Sequence, residues 1–465
     1  MHPPAVSAKL GLPKGNTGMS WGRFVMRRLL ISGFAISAVM LAADTPASSE
    51  QKVTFNKDVL PILEKNCQVC HRPGEIGPMS FLSYESTRPW AKAIRTAVLS
   101  RKMPPWFADP AAGHFANDRR LSDADVRTIA AWADSGAPEG DARDMPAPVQ
   151  WKEGWNIQPD ITFKMPVPYN IPASGTVEYT YFVVPTGLKE DTWVTMGEIR
   201  PGARSQVHHV IAYVRPPGST WMKDAIPGIP YVPPKHVNLT AQPNSEQLAK
   251  DVNEFLVGYV PGMQPQRYDV DHSAKLIPAG ADIVFEVHYT ANGKPAQDQT
   301  TVGLTLAKAP PEKRFITLVG RALDFAIPPG DPDYEAKAYV KFIAPVEFVD
   351  QQPHMHLRGK DMSVRMTYPT GESETILNVP RYDFNWQLVY YHDVPLRIPE
   401  GTMMEITAHW DNSPNNKWNP DPAATVRWGD QSWDEMLVNH FGVIVDRSTD
   451  VQKIVQNLKT PVARN

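Results

Sequence analysis

The stretch that says most about the fold is Ile283-Val284-Phe285-Glu286-Val287-His288-Tyr289, a short run dominated by β-branched and aromatic side chains. Comparable runs occur at 178–184 (EYTYFVV) and 404–410 (MEITAHW), and Pro, Gly and Asn turns separate them. Beyond residue 150 no long helical periodicity appears, and the 46 prolines are spread along the chain. Short strands between such turns predict an all-β region, either a sandwich or a barrel.

The β region is long enough for two domains. Residues 151–465 would accommodate two β-sandwiches, and a Pro-rich break at 309–312 (APPE) divides them about evenly. We therefore expect one sandwich over 155–310 and a second over 311–465.

The N-terminal part has a different pattern. Apolar residues at helical spacing predict helices over 55–66 and 89–100. A third is expected over 122–135, with Ser122 as its N-cap and Gly136 just past its end. These helices define a domain over 50–140, and the Gly- and Pro-containing segment 141–154 is expected to be a linker.

The first 43 residues are typical of a secretory signal peptide. A basic pair, Arg27-Arg28, precedes an apolar stretch and small residues near Ala42. That stretch is shorter than the roughly 20 residues that a membrane span needs. We expect a periplasmic or secreted bacterial protein with no stable membrane insertion after cleavage. The net charge of −3, with both signs interspersed, indicates no nucleic-acid partner.

The only two cysteines of the chain lie in Cys67-Gln68-Val69-Cys70-His71. A C-x-x-C-H run is the attachment signature of c-type haem, in which both thiols bind the porphyrin and the histidine binds iron. The alternative is a redox C-x-x-C, but such motifs lie in a βαβ context that this region lacks. With its three helices, the segment resembles a class I cytochrome c. Met103, followed by two prolines, is the expected second axial ligand, with Met79 as competitor and His114 a distant third.

Five histidines form three groups in the β region: His208-His209, His288, and His354-Met355-His356. Residues i and i+2 of a strand share a face, so the H-x-H pair can bind one ion while the methionine between them points away. Adjacent histidines alternate faces, so joint ligation by the tandem pair needs a bulge or a strand edge. Each group alone could be structural, but the three together favour a metal site.

Four segments, in order along residues 155–450, resemble the copper type II, ascorbate-dependent monooxygenases, the family of dopamine β-monooxygenase and peptidylglycine α-hydroxylating monooxygenase. Residues 207–213 (VHHVIAY) are similar to its H-H-x-x-x-Y segment, and 286–290 (EVHYT) to its E-V-H-Y strand. Residues 354–360 (HMHLRGK) resemble its H-x-H-L-x-G-R/K motif, and 429–436 (GDQSWDEM) its G-x-x-T/S-x-D-E-M run.

The resemblance implies a multidomain protein, a small all-α cytochrome c domain followed by two all-β, jelly-roll-like, copper-binding domains. It implies two copper ions and, with the C-x-x-C-H run, one covalently bound haem c. One copper would be held by His208, His209 and His288; the other, binding O2, by the ligands His354, His356 and Met436. Imidazole suits copper in both oxidation states, and a thioether favours Cu(I). The animal enzymes rely on disulfides that this chain cannot form once haem has taken both thiols.

The expected reaction is hydroxylation of a C–H bond of a small molecule or peptide, in which O2, two electrons and two protons give an alcohol and water. Electrons would come from ascorbate or a periplasmic redox protein and pass through the haem. Two alternatives stay open: a periplasmic haem/copper electron-transfer protein that hydroxylates nothing, and a carbohydrate- or partner-binding sandwich whose histidines are incidental.

Overall fold

The structure is a computed structural model that describes residues 52–233 and 254–458. The signal peptide expected at 1–43 lies outside the described residues. From Lys52 onwards the chain forms one compact unit, so the helical part and the β region belong to the same body.

The α-helices of the described residues all precede the β region. They are α1 (Leu60–Asn66), which continues a π-helical turn over Phe55–Val59, α2 (Tyr84–Thr87), α3 (Ala91–Leu99) and α4 (Asp123–Asp134). Ser122 caps α4, because its side-chain oxygen accepts the Asp125 N–H at 3.0 Å. Within the described ranges, no helix is both long and apolar enough to cross a membrane.

The rest of the described chain is mainly β-strand. The strands of its first half are β1 (Ile161–Lys164), β2 (Tyr169–Ile171), β3 (Thr180–Pro185), β4 (Thr192–Arg200), β5 (Val207–Arg215), β6 (Glu254–Tyr259), β7 (Gln266–Arg267), β8 (Ser273–Ile277), β9 (Asp282–Tyr289), β10 (Ala296–Asp298) and β11 (Thr301–Leu306). The strands of its second half are β12 (Lys313–Ala322), β13 (Ala326–Ile327), β14 (Tyr334–Phe342), β15 (Val346–His354), β16 (Gly359–Thr367), β17 (Ser373–Val379), β18 (Tyr390–Ile398), β19 (Met403–Trp410), β20 (Val426–Arg427), β21 (Leu437–Asp446) and β22 (Val455–Leu458). The expectation of a mostly β protein with few helices is confirmed.

One large sheet runs through both halves. Its order is β1-β11-β4-β8-β12-β21-β15-β18, with β7 beside β4. The sheet β3-β9-β5-β6 covers the first half around one apolar core, and β17-β16-β19-β14-β22 covers the second half around another. The expected break at 309–312 does fall between β11 and β12. However, β8 and β12 pair in parallel there, which joins the two halves through a continuous sheet.

The loop after α3 extends well beyond the helical part. Trp106 is buried in the core of the second half, with its ring 4.9 Å from that of Tyr390. Phe115 forms a β-bridge with His392, and Asn117 donates its side-chain amide to the carbonyl of Val389 at 2.8 Å. Part of the expected domain 50–140 therefore packs as a component of the second β half.

Candidate metal centre

The tandem histidines lie on a β-bulge. In the β5–β9 pair, Val207 is opposite Tyr289 and His209 is opposite His288, so His208 is the extra residue. A bulge changes the direction of a side chain that would otherwise alternate. The two Nδ1 atoms of the tandem pair lie 3.1 Å apart. The bulge that joint ligation requires is thus present.

His288 completes a triad with this pair. Its ring centroid lies 5.0 Å from that of His208 and 5.1 Å from that of His209, and one nitrogen of each residue lies within 4.8 Å of the others. Tyr179 stacks on the His288 ring at 4.5 Å, and the Ser432 hydroxyl lies 3.2 Å from its Nε2. These contacts fix the orientation of the His288 ring and leave Nδ1 as the nitrogen that can bind a metal.

The H-x-H pair lies at the end of β15. The ring centroids of His354 and His356 are 5.1 Å apart, whereas Met355 is fully buried in the core of the second half. The Nδ1 atom of His354 lies 2.8 Å from the side-chain oxygen of Gln387, and that of His356 lies 3.2 Å from the Asp434 carbonyl. With both Nδ1 atoms engaged, the Nε2 atoms are the available ligands.

Met436 immediately precedes β21 and is half-buried. In the antiparallel β15–β21 pair, His354 is opposite Val438. The pairing ends at these two residues, so His356 and Met436 both lie just outside it, each two residues from a paired position.

Glu435 anchors the backbone at His356 and Arg358, a role that the sequence did not indicate. Its fully buried carboxylate accepts the backbone N–H of His356 at 2.9 Å, that of Arg358 at 2.6 Å and the indole N–H of Trp410 at 2.9 Å. Burial raises the pKa of Glu435 to about 7, and these donors oppose that shift.

The triad and the H-x-H pair meet. The rings of His209 and His354 lie 6.2 Å apart, although one belongs to each half of the β region. Phe384 lies between the groups, stacked on His208 at 4.6 Å and 6.1 Å from His356. We call the five histidines together the imidazole cluster; its members are His208, His209, His288, His354 and His356.

The imidazole cluster fits metal ions. Four buried nitrogens have no hydrogen-bond partner among the described residues: His208 Nε2, His209 Nε2, His288 Nδ1 and His356 Nε2. Burial lowers the pKa of His208 and His354 to about 4, and burial with repulsion between neighbouring imidazoles lowers the pKa of the other three. The rings are therefore neutral at pH 7, the form that binds metal. Buried polar atoms that lack partners are rare unless a ligand satisfies them.

A cavity of about 660 Å³ lies beside the imidazole cluster. His208 and His288 line it directly, and Leu357 and Gly359 line it just after the H-x-H pair. A further wall comes from the N-terminal part, through Ser100, Arg101, Lys102 and Phe107. The sequence did not indicate that the helical region would contribute to this cavity.

The C-x-x-C-H run follows α1. The Nδ1 atom of His71 lies 3.3 Å from the carbonyl oxygen of Met79, and its ring stacks on Phe81 at 4.4 Å. Gly77 lies so close that an added Cβ would be 2.7 Å from this Nδ1. A histidine held at Nδ1 presents Nε2 as its ligand atom, so the two thiols and His71 fit a covalently attached haem.

The burial of the two thiols does not favour a dithiol redox centre. Burial raises the pKa of Cys67 to about 12, and burial also raises the pKa of Cys70. Reactive C-x-x-C motifs instead carry a thiol of lowered pKa, because the thiolate is the nucleophile.

The two candidate methionines differ in position. Met79 packs against the helical core beside Cys67, and its carbonyl faces the Nδ1 edge of His71. Met103 is half-buried in the loop after α3, with its N–H 3.3 Å from the carbonyl of Ala97. His114 belongs to the segment on the second β half, where its carbonyl accepts the Asp393 N–H.

Three other histidines of the second half have protein partners outside the imidazole cluster. His409 lies between Asp361, at 2.7 Å, and Glu335, at 3.3 Å. His392 contacts the side-chain amide of Gln351 at 3.1 Å, and the ring of His440 packs against Phe255.

Comparison with known proteins identifies no relative. No protein-family profile and no curated protein matches the chain. Solved structures with some similarity include PBCV-1 VP54 fitted into a reconstruction of the virophage Sputnik, at 8% identity over 67% of this chain and 100% of that one, with a TM-score of 0.20. Another is infectious bursal disease virus Gx strain, at 9% identity over 64% of this chain and 76% of that one, with a TM-score of 0.18. TM-scores this low carry no argument about fold or function.

Proposed function

We propose that the protein is an exported copper-dependent monooxygenase that hydroxylates a C–H bond with O2 and receives electrons through a covalently bound haem c. The observation that carries the proposal is the imidazole cluster. Ring centroids of histidines from both β halves converge to 6.2 Å beside a cavity of about 660 Å³, and several of their buried nitrogens have no partner in residues 52–233 and 254–458. The proposed domain organisation is a cytochrome c domain followed by two jelly-roll-like copper domains.

The ligand sets follow the two halves. His208, His209 and His288 would hold one copper, and the ligands His354, His356 and Met436 the other. Copper, when bound, supplies one-electron chemistry and activation of O2. The chain's own contribution is to keep five imidazoles neutral, to fix their orientation through Gln387, Ser432 and the Asp434 carbonyl, and to limit water access.

The haem would be attached at Cys67 and Cys70, with His71 as one ligand of its iron. We assign Met103 as the other. The Met79 carbonyl lies 3.3 Å from His71 Nδ1, on the edge of the ring away from Nε2, and this backbone contact favours Met103 over Met79. Met103, from the loop after α3, would supply the second ligand of the iron, with Met79 as its competitor.

The contacts around Cys70 favour electron entry at the triad. Cys70 Sγ lies beside Gly262, three residues past the end of β6, and would be 3.1 Å from a Cβ added there. Tyr259 at the end of β6 pairs with Val210 on β5, which is the residue after His209. A short path through backbone and strand hydrogen bonds thus joins the haem-attachment thiol to the first ligand set. An ion pair between Glu75 and Arg204 braces the same interface.

The decisive experiment follows the haem spectrum in a single turnover. Protein with ferrous haem, loaded with copper and mixed with O2, is expected to oxidise its haem quickly, and copper-stripped protein slowly. The His288→Ala variant should behave as the stripped form does. A screen of small organic molecules and peptides with ¹⁸O2 then seeks labelled alcohol. Haem that stays reduced in the copper-loaded protein contradicts the proposal, and fast oxidation without any labelled product favours an electron-transfer protein.

A further inference from the structure

The cavity beside the imidazole cluster has an uneven lining. Its volume of about 660 Å³ lies in the range of roughly 300–1,000 Å³ that is usual for small-molecule sites. Rings of Phe384, Tyr382 and Phe107 line it together with His208 and His288. Three cationic residues line it as well, all of them supplied by loops.

Two of those three cations have no partner among the described residues. The Arg101 guanidinium donates to the Leu121 carbonyl at 2.7 Å and pairs with Asp123, so it is already engaged. Lys102 and Arg381 are exposed, and neither side chain has an ion pair or hydrogen bond within the part of the chain that the structure describes. Both line the same cavity, one from the N-terminal part and one from the second β half.

The opposing charge is small. Among the described residues that line the cavity, Asp383 is the one carboxylate. One of its oxygens already accepts the backbone N–H of Asn385 at 3.0 Å and the side-chain N–H of the same residue at 2.9 Å. The lining therefore carries two unpaired cations against one carboxylate whose hydrogen-bonding capacity is partly used.

The other wall is flat and apolar. Phe384 stacks on His208 at 4.6 Å with an interplanar angle of 21°, and its ring lies 6.0 Å from that of His288. A ring or branched hydrocarbon seated against Phe384 would lie next to two members of the imidazole cluster. This places an apolar group at the reactive end and leaves the cations for the remainder of the ligand.

We propose that this cavity binds a small amphipathic organic anion, with its carboxylate or similar group at Lys102 and Arg381 and its apolar end against Phe384. The inference rests on the proposed function for the statement that this ligand is the substrate; the binding itself needs no metal. The helical part thereby acts in substrate recognition as well as in electron transfer.

The test compares two probes of the same shape, 3-phenylpropionate and 3-phenylpropanamide, by calorimetric titration of the full chain in copper-loaded and copper-stripped forms. The anion is expected to bind at least about tenfold more tightly than the amide in both forms, because only the anion gains from the two cations. The preference should shrink as salt screens the charges. Lys102→Glu with Arg381→Glu should abolish it, and so should the gentler Lys102→Gln with Arg381→Gln.

The matched control is Lys92→Glu with Arg127→Glu. Both residues are exposed on helices and line no part of the cavity, yet the net charge changes equally. This double variant should keep the preference for the anion.

Equal affinity for both probes, or a preference that survives the glutamate substitutions at 102 and 381, overturns the proposal. A preference confined to the copper-loaded form also overturns it, since the anion would then be a metal ligand. Absence of copper binding would refute the monooxygenase while leaving the stripped-form result interpretable.

Discussion

At the scale of single residues, the site depends on polar groups that folding keeps in an unfavourable environment. His209, His288 and His356 are buried, His208 and His354 are half-buried, and Glu435 is a fully buried carboxylate with three N–H donors around it. Such groups are costly unless each has a partner. The carboxylate has its partners within the chain, whereas the imidazole nitrogens need a ligand from outside.

Replacement of Glu435 by glutamine should weaken copper binding by His354, His356 and Met436 without affecting the triad. Glutamine offers one acceptor oxygen instead of two, so its NH2 group would face a buried N–H donor. We expect a loss of about 1–3 kcal/mol in the free energy of unfolding. Copper content should fall from two ions to one, because the H-x-H loop loses its anchor while the triad is untouched.

Glu405→Gln is the control, because Glu405 pairs with Lys337 at a half-exposed position on a neighbouring strand. It should change the free energy of unfolding by less than about 1 kcal/mol and keep both coppers. Denaturant titration and metal analysis measure both effects. Two bound coppers in the Glu435→Gln variant would contradict the anchoring role.

His392 lies outside the imidazole cluster and makes stability depend on pH. Burial lowers the pKa of His392 to about 4, so the unfolded chain binds more protons than the folded one below pH 6.5. The contribution of neutral, buried His392 to the free energy of unfolding is therefore fully present above pH 6.5 and is lost as the pH falls towards 4. From pH 7.5 to 5.5, wild type should lose about 1 kcal/mol more than His392→Gln, which keeps an amide near Gln351 but does not titrate.

The matched variant for this measurement is His272→Gln, since His272 is exposed in a turn. Its loss of stability between the same pH values should equal that of wild type. Urea unfolding at several pH values gives the comparison. If His392→Gln and wild type lose stability in parallel, burial of a neutral His392 contributes nothing.

At the scale of elements, the metal centre depends on breaks in regular pairing. The bulge on β5 brings His208 and His209 together, and β15 ends at His354, so that His356 lies just past the strand. The bulge could be anticipated, because adjacent histidines do not share a face in a regular strand. The end of β15 inside the H-x-H motif could not, because the shared face of i and i+2 residues is expected within a strand.

Other elements could not be read from the sequence. The parallel contact of β8 with β12 joins residues about 40 apart without any pattern of its own. Trp106 and Phe107 look like ordinary loop residues, yet one enters the core of the second half and the other lines the cavity. Glu435 acts through three backbone and indole donors that are distant in sequence. Such long-range packing leaves no periodic signal.

Deletion of His208 tests the bulge as an element. With this residue removed, Val207 still faces Tyr289 and His209 still faces His288, so the pairing on both sides is preserved. We expect a folded protein whose free energy of unfolding changes by less than about 2 kcal/mol. It should retain one copper, because only the triad is lost. His208→Ala, which keeps the bulge, is the companion variant, and two coppers in either protein would argue against ligation by His208.

At the scale of the whole molecule, the helical part is fixed against both β halves. Cys70 lies beside Gly262 of the first half, and Trp106 is buried in the second. Under the proposed function, such contacts would favour transfer of electrons within one chain over encounters between molecules. The wall that residues 100–107 contribute to the cavity has the same origin.

The pair formed by Arg204 and Glu75 offers a test of transfer within the chain. Arg204→Gln removes a half-buried brace of the interface, and we expect the haem-to-copper electron transfer rate to fall roughly three- to tenfold. The haem absorption spectrum and potential should not change. Arg95→Gln breaks an ion pair with Asp134 that lies within the helical part, and it should leave the rate unaltered. Equal rates in all three proteins, measured by flash reduction of the haem, would contradict the route past Gly262.

The metal content of the full-length, exported and haem-matured protein tests the central claim most directly. We expect two coppers and one iron per chain by elemental analysis, with one copper lost in His288→Ala and one lost in Met436→Ala. A folded, haem-bearing protein that binds no copper under these conditions would contradict the proposed copper centre and, with it, the oxygenase.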